Sequence, residues 1–240
     1  MKKNYFFGLS ALTAMMLITS CENEELMKQT QAGDLAQVSI RVTTPELGVG
    51  TRAFGDGAKQ MDLHYAVYNV QKDDNGKEVL TFLDELTPAT PPTFTGNTTV
   101  ELQLVTGNTY KVICWADNVN APYKLHWVDA NGNANPTMTI DYDHVTSNNE
   151  DYDAFYDWRD IYVENTTSVN IDLERPFAQL NIGTDDIIEA SKAGYTLKET
   201  QVTVPTYQTL NLWSGEVSDA IDVTFGFADY PNYDANAKYG

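Results

Sequence analysis

Apolar and polar residues alternate from Gln37 to Thr44, with Val38, Ile40 and Val42 on one side and Ser39, Arg41 and Thr43 on the other. A period of two over this length predicts a half-buried β-strand. Further strands are expected at 63–70, 77–83, 98–104 and 109–116. The first two of these are joined through Asp73-Asp-Asn-Gly76, where Asn-Gly would supply the positive φ angles of a tight hairpin. In the third, Val100, Leu102 and Leu104 point inward while Glu101 and Gln103 point outward. Weaker patterns at 123–128, 137–142 and 161–163 precede a clear one at 167–173. Many short strands separated by turn signals, with no long amphipathic helix before residue 175, predict an all-β chain with an antiparallel β-sandwich over 36–175.

After Arg175-Pro176 a strand-like run at 177–182 leads to Thr184, which is expected to cap a short helix ending at Gly194. Asp185 and Asp186 fall in its first turn, where the helix dipole favours negative charge. Strands at 196–204 and 220–227 follow. Three strands and one short helix bury little surface, so 176–240 is expected to be a second, incomplete β domain.

The other end of the chain carries targeting information. Lys2 and Lys3 precede a largely apolar run, 5–18, and Thr19-Ser-Cys21 places small residues before a cysteine. This predicts a signal peptide over 1–20, too short for a comfortable membrane span of about 20 residues. Leu17-Ile-Thr-Ser-Cys21 resembles a bacterial lipobox, which implies cleavage before Cys21 and lipidation of its sulfur. An ordinary secretion signal is the alternative. Several acyl chains would hold the protein on a membrane far longer than one. Residues 21–35 are polar and without a period, and read as a tether. Between the first and second strands, Gly48, Gly50, Gly55 and Gly57 crowd into 45–60, a composition that favours an exposed loop open to proteolysis.

Composition narrows the classes further. The 240 residues carry 15 Lys plus Arg against 34 Asp plus Glu, a formal charge of −19, which argues against nucleic acid as a partner. A hydrophobic content of 42% suffices for a packed core, and two cysteines cannot build a disulfide framework. No His-Glu-x-x-His, Gly-x-Ser-x-Gly or phosphate-binding glycine motif is present, so no catalytic residue, metal or cofactor is assigned and an enzyme is not expected. Cys114 lies in an apolar segment and reads as core. The run Asp129 to Asn135 alternates Asp and Asn as some cation loops do, but its glycine comes fourth and Ile140 takes the twelfth place; a polar turn accounts for it. The stretch 141–160 mixes seven acids with Tyr142, Tyr152, Phe155, Tyr156 and Trp158. Carboxylates beside exposed rings suit a saccharide surface, with Tyr152, Tyr156 and Trp158 as its contacts, and the same residues suit a loop anchored by its own rings.

The order of the lipobox, the first strand, Thr51-Arg-Ala-Phe-Gly55 and a strand ending Tyr65-Ala-Val-Tyr68 resembles the fimbrillins, the pilus subunits and related surface lipoproteins of Bacteroidales. Tyr110-Lys-Val-Ile-Cys-Trp-Ala-Asp117, Asp153-Ala-Phe155 and Leu173-Glu-Arg-Pro-Phe-Ala-Gln-Leu-Asn-Ile-Gly183 fit the same group. The resemblance implies two transthyretin-like β-sandwich domains and a surface lipoprotein of the outer membrane, acting as fimbrial subunit or adhesin. It also implies an arginine-specific cut at the Arg52-Ala53 bond. Loss of the first strand, with Val38, Ile40 and Val42, would then leave a groove for a strand of the next subunit. This scheme expects the first strand to be held only provisionally; a central strand paired along both flanks would count against it. The alternative function is a glycan-binding lipoprotein in nutrient capture, with a host or glycan ligand.

Overall fold

The computed structural model describes residues 33–45, 59–147, 149–178, 180, 187–195 and 199–228. The expected signal peptide, most of the tether and the loop around Arg52 lie outside the described residues. Twelve strands and one short helix are seen among them: β1 (Leu35–Thr43), β2 (Met61–Lys72), β3 (Glu78–Phe82), β4 (Thr93–Phe94), β5 (Asn97–Val105), β6 (Thr109–Asp117), β7 (Tyr123–Val128), β8 (Ala134–Ile140), β9 (Ala154–Tyr162), β10 (Thr166–Asp172), α1 (Ile187–Lys192), β11 (Glu199–Asn211) and β12 (Val217–Ala228).

The strands form three sheets. One has the order β10-β1-β5, the second β3-β2-β6-β9 with β4 beside β2, and the third β12-β11-β8-β7. The middle of the molecule is the sheet built on β2 and β6. Its Leu63, Val67, Val112 and Cys114 share a core with Val38, Ile40, Val42 and Leu102 of the first sheet. Its opposite face, with Ala66, Tyr68, Ile113 and Trp115, shares a second core with Met138, Leu210 and Leu212 of the third. That placement explains the composition of β6, TYKVICWAD, in which every residue after Thr109 is buried. A strand covered on both faces has no solvent side on which to alternate. The all-β reading holds, and the expected sandwich carries a third sheet across its far face.

The first strand differs from its expected setting. β1 is the middle member of its sheet, parallel to β10 from Gln37↔Thr166 to Thr43↔Asp172 and antiparallel to β5 from Leu35↔Val105 to Thr43↔Asn97. This corrects the expectation of a provisionally held ribbon. Alternation in sequence reports that one face is buried; it carries no information on how many neighbours satisfy the backbone at the two edges.

Other departures are local. In the β2–β3 hairpin Gly76 takes a positive φ of 79°, and Asn75 does not. The loop is closed instead by the Asp73 carboxylate, which accepts the N–H groups of Asn75 at 2.9 Å and Lys77 at 2.8 Å. Phe177, Ala178 and Leu180 are not in a strand, and the rest of the run expected there lies outside the described residues. The predicted helix is present at Ile187–Lys192 and ends as expected: Gly194 has φ 86°, and the N–H of Tyr195 bonds to the Ala190 carbonyl at 2.9 Å. The boundary expected near 175 falls between strands of a single sheet, because β8 pairs with β11 at Thr137↔Asn211, Met138↔Leu210 and Thr139↔Thr209.

Candidate functional site

The first sheet holds the three residues singled out on the opening strand. Val38, Ile40 and Val42 are wholly buried. On one flank Val38 and Ile40 face Leu102 and Val100 of β5; on the other, Ile40 and Val42 face Val169 and Ile171 of β10. The opposite face of β1 is wet and polar. Gln37 Nε2 donates to Glu101 at 3.1 Å, the Ser39 hydroxyl donates to the same carboxylate, and the Thr43 hydroxyl donates to Asp172. Past the end of the strand, the Thr44 N–H donates to the Gly96 carbonyl at 2.9 Å, and the Leu173 N–H to the Thr43 carbonyl at 2.8 Å. β1 is thus a single strand that fills a slot with two ready-made walls. Arg52 and Ala53, which follow it in the chain, and Cys21 before it lie outside the described residues.

The aromatic stretch resolves differently. Residues 154–160 are not a loop; they form most of β9, paired with β6 from Asp117↔Ala154 to Thr109↔Tyr162. Tyr156 and Trp158 point into the second core. Trp158 meets Trp213 edge-on at 5.6 Å, and its ring lies 4.3 Å from the Lys111 ammonium, which also pairs with Asp160 at 2.6 Å. Tyr156 lies 6.0 Å from the Trp115 ring. Tyr152 stands apart on a short 3₁₀ turn, its hydroxyl donating to the His144 carbonyl at 3.1 Å, and among the described residues no ring pair joins it to the other two. The three candidates are not gathered into one platform, and two of them have ring faces engaged by protein.

Polar groups at this end of the second core are likewise occupied with one another. Trp115 Nε1 donates to Asp117 at 2.8 Å, and His64 Nε2 lies 3.3 Å from the other oxygen of that carboxylate. Arg175 grips Asp153 with two bonds of 2.7 and 2.9 Å and lies 5.2 Å from the Phe155 ring centre. Burial raises the Tyr123 hydroxyl far above its ordinary value, with the Asp117 and Asp153 charges adding to it. Lys111 and Arg175 were missed by sequence reasoning; the signal for Lys111 was its place inside the unbroken apolar run of β6. The Asp129 carboxylate accepts the N–H groups of Asn131 at 2.8 Å and Asn133 at 2.9 Å, and the Asn133 side-chain amide lowers its pKa further. It is spent on closing its own turn. An open depression of about 470 Å³ is bordered by Lys59, Asp62, Thr93 and Asn118, with Lys59 paired to Asp151 at 2.9 Å.

Cys114 is fully buried behind β1, and desolvation, reinforced by Asp157, pushes its thiol up to about 12. Thiolate is the reactive form, so the native thiol is expected to resist iodoacetamide at pH 8 and to react once the protein is unfolded in urea. Fast alkylation of the native protein at Cys114, seen by peptide mass, would contradict the packing of β1 over it.

Three stacked sheets, a buried but fully paired opening strand and no assembled catalytic group among the described residues define an all-β sheet protein of sandwich type. The chain belongs to a family of unknown function, DUF6562, whose sequence model matches residues 29–237. No curated protein matches it. Among solved structures it is similar to the fimbrial anchor protein Mfa2 from Porphyromonas gingivalis, at 10% identity and a TM-score of 0.41, over 80% of this chain and 66% of that one. It is also similar to a protein from Bacteroides ovatus described as a putative adhesin, at 11% identity and a TM-score of 0.42, over 84% and 69%. The chain spans about two thirds of the length of each. Among the described residues no helix is long and apolar enough to cross a membrane.

Proposed function

We propose that the protein is a cell-surface lipoprotein of fimbrial-subunit or adhesin type, anchored to the outer membrane through Cys21 and matured by cleavage of the Arg52-Ala53 bond. The observation that carries the reading is the seat of β1. One strand, placed just before a glycine-rich segment with one of the chain's four arginines, fills the slot between β5 and β10. Its removal would expose two facing backbone edges and an apolar floor, the acceptor that strand addition requires. The partners in this reading are other subunits that donate such a strand.

The central seat also restricts how exchange can occur. Burial of Val38, Ile40 and Val42 contributes about 1.5 to 3 kcal/mol each, and ladder hydrogen bonds on both flanks add to this. β1 therefore stays in place in the uncut chain, and after cutting it leaves only as another strand enters. Limited digestion with an arginine-specific protease is expected to cut first after Arg52, and the cut protein is expected to form a ladder of multimers that resist mild detergent on gels. Cleavage at Arg41 or Arg159 with Arg52 intact, or cleavage after Arg52 that leaves a stable monomer, would remove the proposed assembly step.

A further inference from the structure

β11 and β12 form a hairpin longer than the sheet that supports it. They pair from Glu199↔Ala228 to Leu210↔Val217, whereas β11 meets β8 only at Thr209 to Asn211. Among the described residues no strand pairs with the outer edge of β12. The hydrogen-bond phase shows which groups that edge presents. Asn211 donates its N–H to Glu216 and Leu212 donates to Pro136, so odd residues of β11 face β12 and even ones face β8. The β12 residues opposite Thr206, Val204 and Val202 are Ile221, Val223 and Phe225, and these turn their N–H and C=O groups outward.

Three features limit what fits there. Asp219 has a positive φ of 59°, and its carboxylate is bonded to the hydroxyls of Thr209 and Ser218, which breaks the smooth edge on one side. The Ser147 hydroxyl donates to the Gly226 carbonyl at 3.1 Å and limits the other side. Between them, Ala220 to Phe225 remain as an open stretch. Its apolar side chains are incompletely covered, with Ile221 36% exposed and the neighbouring Val217 50% exposed. The hairpin from 199 to 228 contains Glu199, Glu216, Asp219 and Asp222 and no Lys, Arg or His. In a chain of formal charge −19, a second copy of this strand would bring like charges together.

We propose that the β12 edge from Ala220 to Phe225 is a strand-addition site for an extended basic segment of another polypeptide, with aliphatic residues alternating with Lys or Thr. Main-chain bonds to Ile221, Val223 and Phe225 supply affinity, alternate aliphatic side chains extend the stripe at Ile221, and lysines answer Asp219 and Asp222. The site lies on a different sheet from β1 and does not depend on cleavage after Arg52, so either proposal can fail alone.

The test uses the full chain and two labelled peptides, Lys-Val-Thr-Val-Lys-Val-Thr-Val and its counterpart with Glu in place of Lys. Fluorescence anisotropy at low salt is expected to show binding of the lysine peptide and little of the glutamate peptide. Hydrogen exchange is expected to slow at the amides of Ile221, Val223 and Phe225 when the lysine peptide is present. Ile221→Pro removes one outward N–H and is expected to weaken binding about two- to tenfold. Asp222→Lys is an exposed change that leaves the fold alone and is expected to weaken the lysine peptide about two- to fivefold. Equal binding of both peptides, protection at β1 or β5 in place of β12, or protection of β12 by self-association without peptide would each overturn the proposal.

Discussion

Ile40→Ala is expected to lower the unfolding free energy by about 2 to 5 kcal/mol, one of the two largest single-residue losses foreseen for this chain. Ile40 is wholly buried, sits between Val100 and Val169 in its sheet, and shares the first core with Leu63, Val112 and Cys114. Truncation leaves a cavity that cannot close by moving β1 toward either flank, because ladders to β5 and β10 hold it on both sides. The neighbouring Ser39→Ala removes only an exposed hydroxyl bonded to Glu101 and is expected to cost less than about 0.5 kcal/mol. Urea unfolding midpoints at constant slope would measure both. A loss below about 1 kcal/mol for Ile40→Ala would show that β1 is peripheral and would undercut the slot on which the proposed assembly rests.

The second large effect belongs to the opposite core. Trp115→Ala is expected to cost about 3 to 5 kcal/mol. The indole meets Tyr123 at 5.5 Å, Tyr156 at 6.0 Å and Phe177 at 6.3 Å, so one side chain ties the middle sheet to the third sheet and to the chain beyond β10. Its N–H also serves Asp117, a buried carboxylate. Trp115→Phe keeps most of the ring contact but withdraws that donor, and is expected to cost about 1 to 3 kcal/mol. Near-ultraviolet circular dichroism and equilibrium unfolding of the two variants separate packing from the hydrogen bond. If Trp115→Ala unfolded at the wild-type midpoint, the third sheet would not be held by this core.

The strands that sequence reading located best are those with one wet face. In β1 and β5 the polar positions Gln37, Ser39, Glu101 and Gln103 alternate with buried aliphatics, and a period of two is visible without coordinates. β6 was equally visible as a strand, yet its unbroken apolar run was also a statement that both faces are covered, and so a pointer to the third sheet. β9 was harder. Asp157, Arg159 and Asp160 interrupt Phe155, Tyr156 and Trp158, and so many acids resemble a solvated loop. In the structure the rings turn toward the cores, while Arg159 pairs with Asp157 at 2.7 Å and Lys111 with Asp160 at 2.6 Å. Lys111 escapes the usual cost of burying an ammonium because Asp160 and the Trp158 ring both stabilise its charge. None of those partners is near it in sequence.

Local order was therefore readable from the chain alone: the β character, the inward face of each strand, the turn at Gly76, the helix stop at Gly194 and the acidic charge. Each follows from steric or solvation preferences acting over a few residues. Lateral neighbours were not readable. β1 joins β10 at residues 129 positions apart, as Thr43 and Asp172 show, and backbone hydrogen bonds are the same for every pair of strands. Which edges meet is decided by the fit of whole faces in two cores at once, a property that no single stretch of sequence carries.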